Sequence, residues 1–233
     1  MNNKDTTILV SVVMPAYNEI HTIRHIISKV MAVKLKKELI IVDDASTDGT
    51  REYLRSISDK HITVVFHEHN RGKGAAIRTA LQYVKGDITL IQDADLEYDP
   101  EEYGQLIELI LKDKADVVYG SRFLSRTRVF YFYHLLGNKI INLFANILFN
   151  TTFTDLETCY KAFKTKTIQD IPLHSNSFGF EAEITAKLVK RKLRIFEVPI
   201  SYYGRTYEEG KKITWKDGII ALYWLVRCRF SKN

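Results

Sequence analysis

The chain has 233 residues, 45% of them hydrophobic and 27% charged, which suffices for one well-cored α/β domain. Eleven glycines and four prolines exclude a collagen-like or linker-rich chain, and two cysteines, Cys159 and Cys228, exclude a disulfide framework and point to a reducing compartment. The net charge of +6 points to a polyanionic partner (nucleic acid, phosphate groups or an anionic membrane), and much of it falls late, in "LVKRKLRIF", "GKKITWK" and "VRCRFSK".

The start, "MNNKDTTILV", carries no apolar stretch of signal length before the first strand, "ILVSVVM" (8–14). Ile20, Ile23, Ile26, Ile27, Val30 and Met31 then recur at helical spacing over 19–33, with Asn18 as a plausible N-cap and Glu19 in the first turn. Strands "ELIIVD" (38–43), "ITVVFHE" (62–68), "ITLIQ" (88–92) and "DVVYG" (116–120) follow, separated by helical patterns over 48–58, 73–85 and 100–112. These strands are apolar on both faces, as buried parallel strands are. Repeated βα units give an α/β fold, a mostly parallel sheet with helices on both faces, which binds ligands at the carboxyl ends of its strands.

After residue 125 the pattern changes. An aromatic-rich helix over 129–149, a strand in "TCYKAF", a helix over 180–191, a strand "LRIFEVPI" and a terminal helix from about 215 are expected. Neither "VFYFYHLLGNKIINLFANILF", broken by His134, Asn138, Lys139 and Asn142, nor "IIALYWLV" supplies the roughly 20 apolar residues that cross a bilayer. The chain therefore reads as one domain, with a ligand-binding half over about 8–125 and a second half over about 126–233 that carries amphipathic helices.

Four polar turns fall at one edge of the expected sheet: "PAYNE", "DDASTDG", "HNRGKG" and "DADLE". Asp43 and Asp44 suit ribose or base recognition, or turn chemistry alone, which is all that Asp48 needs to explain it. "HNRGKGAAI" is neither a Walker loop nor a dinucleotide fingerprint; Gly72 and Gly74 allow close backbone approach, and Lys73 and Arg71 read as solvated charges. In "IQDADLEYDP", Asp99 begins a helix as N-cap before Pro100. Asp93, Asp95 and Glu97 remain at alternate positions, where side chains point the same way. Converging carboxylates repel unless a divalent cation such as Mg²⁺ or Mn²⁺, held by one or two carboxylates plus phosphate oxygens, lies among them. Three solvated acids on a loop are the alternative.

Together, "VSVVMPAYNE", "ELIIVDDASTDGT", "HNRGKGAA", "IQDADLEYDPEEY" and "DVVYGSRF" resemble inverting family 2 glycosyltransferases of the GT-A fold. "DLETCYKAF", "FGFEAEI" and "EVPISYYGRTYEEGKK" narrow the resemblance to polyprenyl-phosphate enzymes related to dolichyl-phosphate mannose and glucose synthases, over about residues 8–218. The resemblance implies hexose transfer from a UDP- or GDP-linked donor to a polyprenyl phosphate, on the cytoplasmic face of a membrane. It implies a peripheral membrane surface as partner, no nucleic acid, and room for a membrane-embedded partner protein. For the donor it implicates Pro15, Tyr17, Glu19, Val42, Asp44, Asp93, Ala94, Asp95, Arg122, Arg205 and Lys211, with Lys212 able to share the last role. Asp95 and Glu97 become the metal ligands; Asp95, Arg122 and Arg205 the catalytic set; and Arg128, His134 and Asp155 the acceptor contacts. "DLETCYK" departs from the "DLTSGFR"-like run of mannose synthases, so the sugar stays open, and Asp44 does not distinguish uracil from guanine.

A lipid phosphate arrives ionised, so no obligatory base is expected. A saccharide hydroxyl acceptor would need one, with Glu181 and Glu183 as candidates. A non-catalytic nucleotide-binding protein is the third reading. One membrane-facing helix is expected in the second half.

Overall fold

A computed structural model describes residues 8–125, 131–206, 208 and 215–231. Seven strands form one sheet: β1 (Val10–Ala16), β2 (Lys37–Asp43), β3 (Ile62–Phe66), β4 (Ile88–Ile91), β5 (Val117–Ser121), β6 (Lys161–Lys164) and β7 (Ile195–Pro199). Their order is β3-β2-β1-β4-β6-β5-β7. All pairs are parallel except those of β6, which runs antiparallel to both β4 and β5. A strand of the second half is thus inserted between two strands of the first.

Alternation along each strand feeds two cores. Val12, Met14, Leu39 and Ile41 pack with α1 (Ile23–Ala32) and α4 (Tyr103–Leu111). Val13, Ile40, Val42 and Ile91 pack on the other face with α3 (Lys73–Ala80) and α7 (Phe180–Lys190). This two-sided burial is why these strands carry hardly any polar residues. A third cluster, with Ile141, Ala145, Leu156, Ala182, Ala186 and Leu225, joins α5 (Phe132–Phe149), α7 and α8 (Trp215–Phe230).

Strand positions agree with the sequence reading to within two or three residues, but α1 starts four residues late. Asn18 is not its N-cap: it adopts φ +51°. The loop before α2 (Thr50–Arg55) satisfies this turn instead. Asn18 N donates to Ser46 Oγ at 2.9 Å, Glu19 N to Thr50 Oγ1 at 2.9 Å and Ile20 N to Asp48 Oδ2 at 3.0 Å. Asp99 does cap, accepting from Glu101 N, but the turn it opens, Pro100–Glu102, is a 3₁₀ segment ahead of α4. A short helix α6 (Thr165–Gln169) has no counterpart in the sequence reading.

Candidate active site

The carboxyl ends of β1, β2 and β4 meet where the strand order reverses direction, the usual ligand crevice of open α/β sheets. A cavity of about 780 Å³ lies there, lined by residues from every polar turn singled out in the sequence and by α5, α7 and α8. That volume suits a nucleotide-sized ligand.

At its centre, Arg205, from the segment after β7, reaches into the acidic turn after β4. Its Nη2 donates to Asp95 Oδ2 at 2.8 Å, its Nη1 lies 3.1 Å from Glu19 Oε2, and its backbone N–H donates to Glu97 Oε1 at 2.7 Å. The other Glu97 oxygen accepts from Tyr202 Oη at 2.8 Å. Beside this group, Lys73 Nζ stands 3.0 Å from both Asp93 Oδ1 and Glu181 Oε1. The protein's own cations therefore supply part of the neutralisation that the carboxylate turn demands.

That neutralisation is incomplete. Burial, reinforced by Asp93 and Glu97 and opposed by Arg205, pushes Asp95 up to about 8. Burial would also raise Asp93, but Lys73, Cys159 and Arg205 together hold this carboxyl below its ordinary value. A surplus of hard oxygen donors around Asp95 fits Mg²⁺ or Mn²⁺. Among the described residues no three His, Cys, Asp or Glu side chains are grouped to hold a metal by themselves, and Mg²⁺ is commonly held by one or two carboxylates together with substrate phosphates. Both oxygens of Asp95 are engaged, Oδ1 by Glu97 N at 3.0 Å and Oδ2 by Arg205, so Asp95 must give up Arg205 to take a cation, as Glu97 must give up Tyr202 or Arg205.

The remaining sequence candidates divide. Pro15, Tyr17, Glu19, Asp44, Ala94 and His134 line the cavity. Asp44 is nearly saturated: Oδ1 lies 2.6 Å from His67 Nδ1 and accepts from Arg71 N at 2.9 Å, and Oδ2 accepts from Gly72 N at 2.7 Å. It pins the loop before α3 while forming part of the wall. Val42 is fully buried, and its side chain belongs to the cluster with Ala76, Ile77 and Ala80 on the α3 face, so it is not part of the cavity wall.

Arg122 follows β5, lines the cavity and is itself mostly buried. Its Nε and Nη2 each donate to Asp155 at 2.7 Å, and its backbone N–H donates to Asp155 Oδ2 at 2.9 Å. Asp155 is fully buried and stands behind Arg122. Burial would lower Arg122, but Asp155, with Tyr98 and Tyr202, raises it well above its ordinary value and keeps the guanidinium charged. Arg128, Lys211 and Lys212 lie outside the described residues.

Sequence reasoning missed Lys73, Glu157, Cys159, Tyr98 and Tyr202 on the cavity wall. Lys73 looked solvated because nothing local to "RGKG" announces Glu181, which arrives on α7. The glycines were legible: a Cβ at Gly72 would stand 2.3 Å from the Asn176 carbonyl oxygen, and one at Gly74 2.4 Å from that of Ser175. Glu183 is occupied structurally, accepting from His174 N and Ser175 N and pairing with Lys187.

Comparison with known proteins relates the chain to a family. The glycosyltransferase AglJ of Haloferax volcanii is 32% identical over 202 residues, covering 84% of this chain and 63% of that protein, so the chain spans just under two thirds of that relative's length. The undecaprenyl-phosphate mannosyltransferase of Micrococcus luteus is 28% identical over 220 residues, covering 85% of each. In fold, the chain is similar to glucosyl-3-phosphoglycerate synthase from Mycobacterium tuberculosis, solved with Mn²⁺, uridine diphosphate and phosphoglyceric acid. The TM-score is 0.74 at 20% identity, over 97% of this chain and 80% of that one. The family model for glycosyl transferase family 2 matches residues 11–171, from the first strand through β6 and the acidic turn, and the chain belongs to that family.

Proposed function

We propose that this protein transfers a hexose from a nucleoside-diphosphate donor to a polyprenyl phosphate, with inversion and with a divalent cation. The observation that carries the reading is that one cavity joins the Asp95–Arg205 cluster to an end walled by Arg122, by His134 and Asn138 of α5, and by Trp215 and Gly218 of α8. Away from the cavity, those two helices expose Phe132, Leu143 and Ile147, and Ile219, Tyr223 and Phe230. A donor held at the strand ends would thus face an acceptor arriving past apolar helices. The relative from Micrococcus luteus, named for an undecaprenyl-phosphate acceptor, supports the same choice.

The chemistry follows from the charges. The acceptor phosphate has a second pKa of about 6 and needs no base to ionise it. Its oxyanion attacks the anomeric carbon from the side opposite the diphosphate; the new C–O bond forms as the old one breaks, and the electron pair leaves on the diphosphate. Arg205 is placed to turn from Glu19 and Asp95 towards that developing charge, and Arg122, held charged by Asp155, flanks the acceptor end. When bound, a divalent cation would neutralise the leaving diphosphate, with Asp95 as its protein ligand.

Among the described residues no helix is long and apolar enough to cross a membrane. The reading is therefore peripheral association, through α5 and α8 together rather than the single helix expected from sequence. Two unpaired thiols, Cys159 and Cys228, favour a cytoplasmic face. The test is a panel of UDP- and GDP-linked sugars with a short polyprenyl phosphate and Mn²⁺. Labelled sugar should become extractable into organic solvent with one of them; transfer only to soluble saccharides would refute the acceptor.

A further inference from the structure

Two carboxylate oxygens of the cavity residues have no hydrogen-bond donor among the described residues: Oε1 of Glu157 and Oε2 of Glu181. Glu181 is only 3% exposed. A buried carboxylate oxygen left without a donor is costly, and native proteins rarely tolerate two side by side without a reason. The protein's own donors nearby are already used. Lys73 Nζ is shared between Asp93 and the other Glu181 oxygen, and Lys161 Nζ, fully buried, donates to the carbonyls of Leu156 and Thr158. Cys159 Sγ, at 3.9 Å, offers Glu181 Oε1 only a weak contact.

Position says what could supply the missing donors. Lys73 connects the two places directly, touching Asp93 of the acidic turn with one contact and Glu181 with another. With a diphosphate at Asp95 and Arg205, the group attached to its far end is the sugar, and a hexose presents a row of hydroxyl donors. We infer that Glu157 and Glu181 form the subsite that accepts hydrogen bonds from the ring hydroxyls of the transferred hexose, and that they make the enzyme reject acidic sugars.

This inference rests on the donor reading proposed above and adds the selection rule. Once Glu157 is ionised, above about pH 8, a hexuronate would bring a further negative charge against oxygens that already lack donors, and like charges in a dry site are mutually destabilising. A neutral hexose satisfies both oxygens. Glu157 also falls in "DLETCYK", the segment where this sequence departs from mannose synthases, so the selection belongs to this chain's own residues.

The experiment has two stages. Calorimetric titration with UDP and with GDP, each with Mn²⁺, identifies the base. The hexose and hexuronate forms of that nucleotide (UDP-glucose and UDP-glucuronate, or GDP-mannose and GDP-mannuronate) are then compared in the wild type, Glu157→Gln and Glu181→Gln. The nucleotide alone should bind all three proteins within about twofold, which shows the variants folded. At about pH 8.5, above the value of Glu157, the wild type should bind the hexose at least about tenfold more tightly than the hexuronate, and the gap should shrink at least about threefold in one or both variants, in line with the loss of one like charge. A smaller wild-type gap, or one unchanged in both variants while nucleotide binding persists, overturns the inference. Failure of both nucleotides to bind the wild type would instead overturn the donor reading, and the inference with it.

Discussion

Replacing Asp155 with Asn would isolate the work of the buried ion pair behind the cavity. Arg122 is 8% exposed and Asp155 fully buried, and two donor atoms of the guanidinium meet the carboxylate at 2.7 Å. Asn keeps the shape and removes the charge, leaving Arg122 buried beside a neutral amide. Breaking one side of a buried pair costs about 3–5 kcal/mol, because the remaining charge is uncompensated. At roughly 2–4 °C per kcal/mol for a chain of this size, the midpoint should fall by about 10 °C. Urea unfolding gives the free energy directly. Because Arg122 lines the cavity, pyrophosphate with Mg²⁺ should stabilise Asp155→Asn more than it does the wild type, the anion replacing part of the lost charge. A loss under about 1 kcal/mol, or equal protection of both proteins, would refute the assignment of Asp155 as the residue that holds Arg122 charged.

Gly72→Ala should destabilise by roughly 3 kcal/mol or more in thermal unfolding, since φ is +91° and the new Cβ meets a backbone carbonyl that no rotamer change can move; Gly104→Ala, with nothing within 4 Å and in α4, should be neutral or slightly stabilising. Glu157 carries a pH signature. Burial, then repulsion from Glu181, raises it to about 8, whereas the unfolded chain has an ordinary carboxylate near 4.3. Between those values the native state keeps a proton that the unfolded state has lost, so this group lowers stability as pH rises from about 4.5 to 8. Glu157→Gln should therefore match the wild type near pH 4.5 and exceed it by on the order of a few kcal/mol at pH 8 in metal-free unfolding; an equal difference at both pH values would contradict the assignment.

Much of this was legible in the sequence. Val- and Ile-rich runs located the strands because both faces of the sheet are covered, and "IQDADLEYDP" marked the acidic turn because its charges end a buried strand. What local pattern could not carry was pairing across distance. Lys73 and Glu181 are 108 positions apart, and so are Glu97 and Arg205; only the folded sheet makes either pair neighbours. Asn18 looked like a cap because its hydrogen bonds with the loop, donating to Ser46 and accepting from Thr47, are invisible from "PAYNE" alone. Which face the Val42 side chain takes is likewise set by the two-residue period of the strand, and it falls on the α3 side.

The central claim is that Asp95 holds a divalent cation against the donor's diphosphate. A crystal structure with Mg²⁺ and the nucleoside diphosphate that binds should place the ion about 2.1 Å from an Asp95 oxygen, with phosphate oxygens and water filling an octahedron and Arg205 turned onto the diphosphate. A nucleotide bound in the cavity with the Asp95–Arg205 pair still closed at its present 2.8 Å and the ion elsewhere would contradict it.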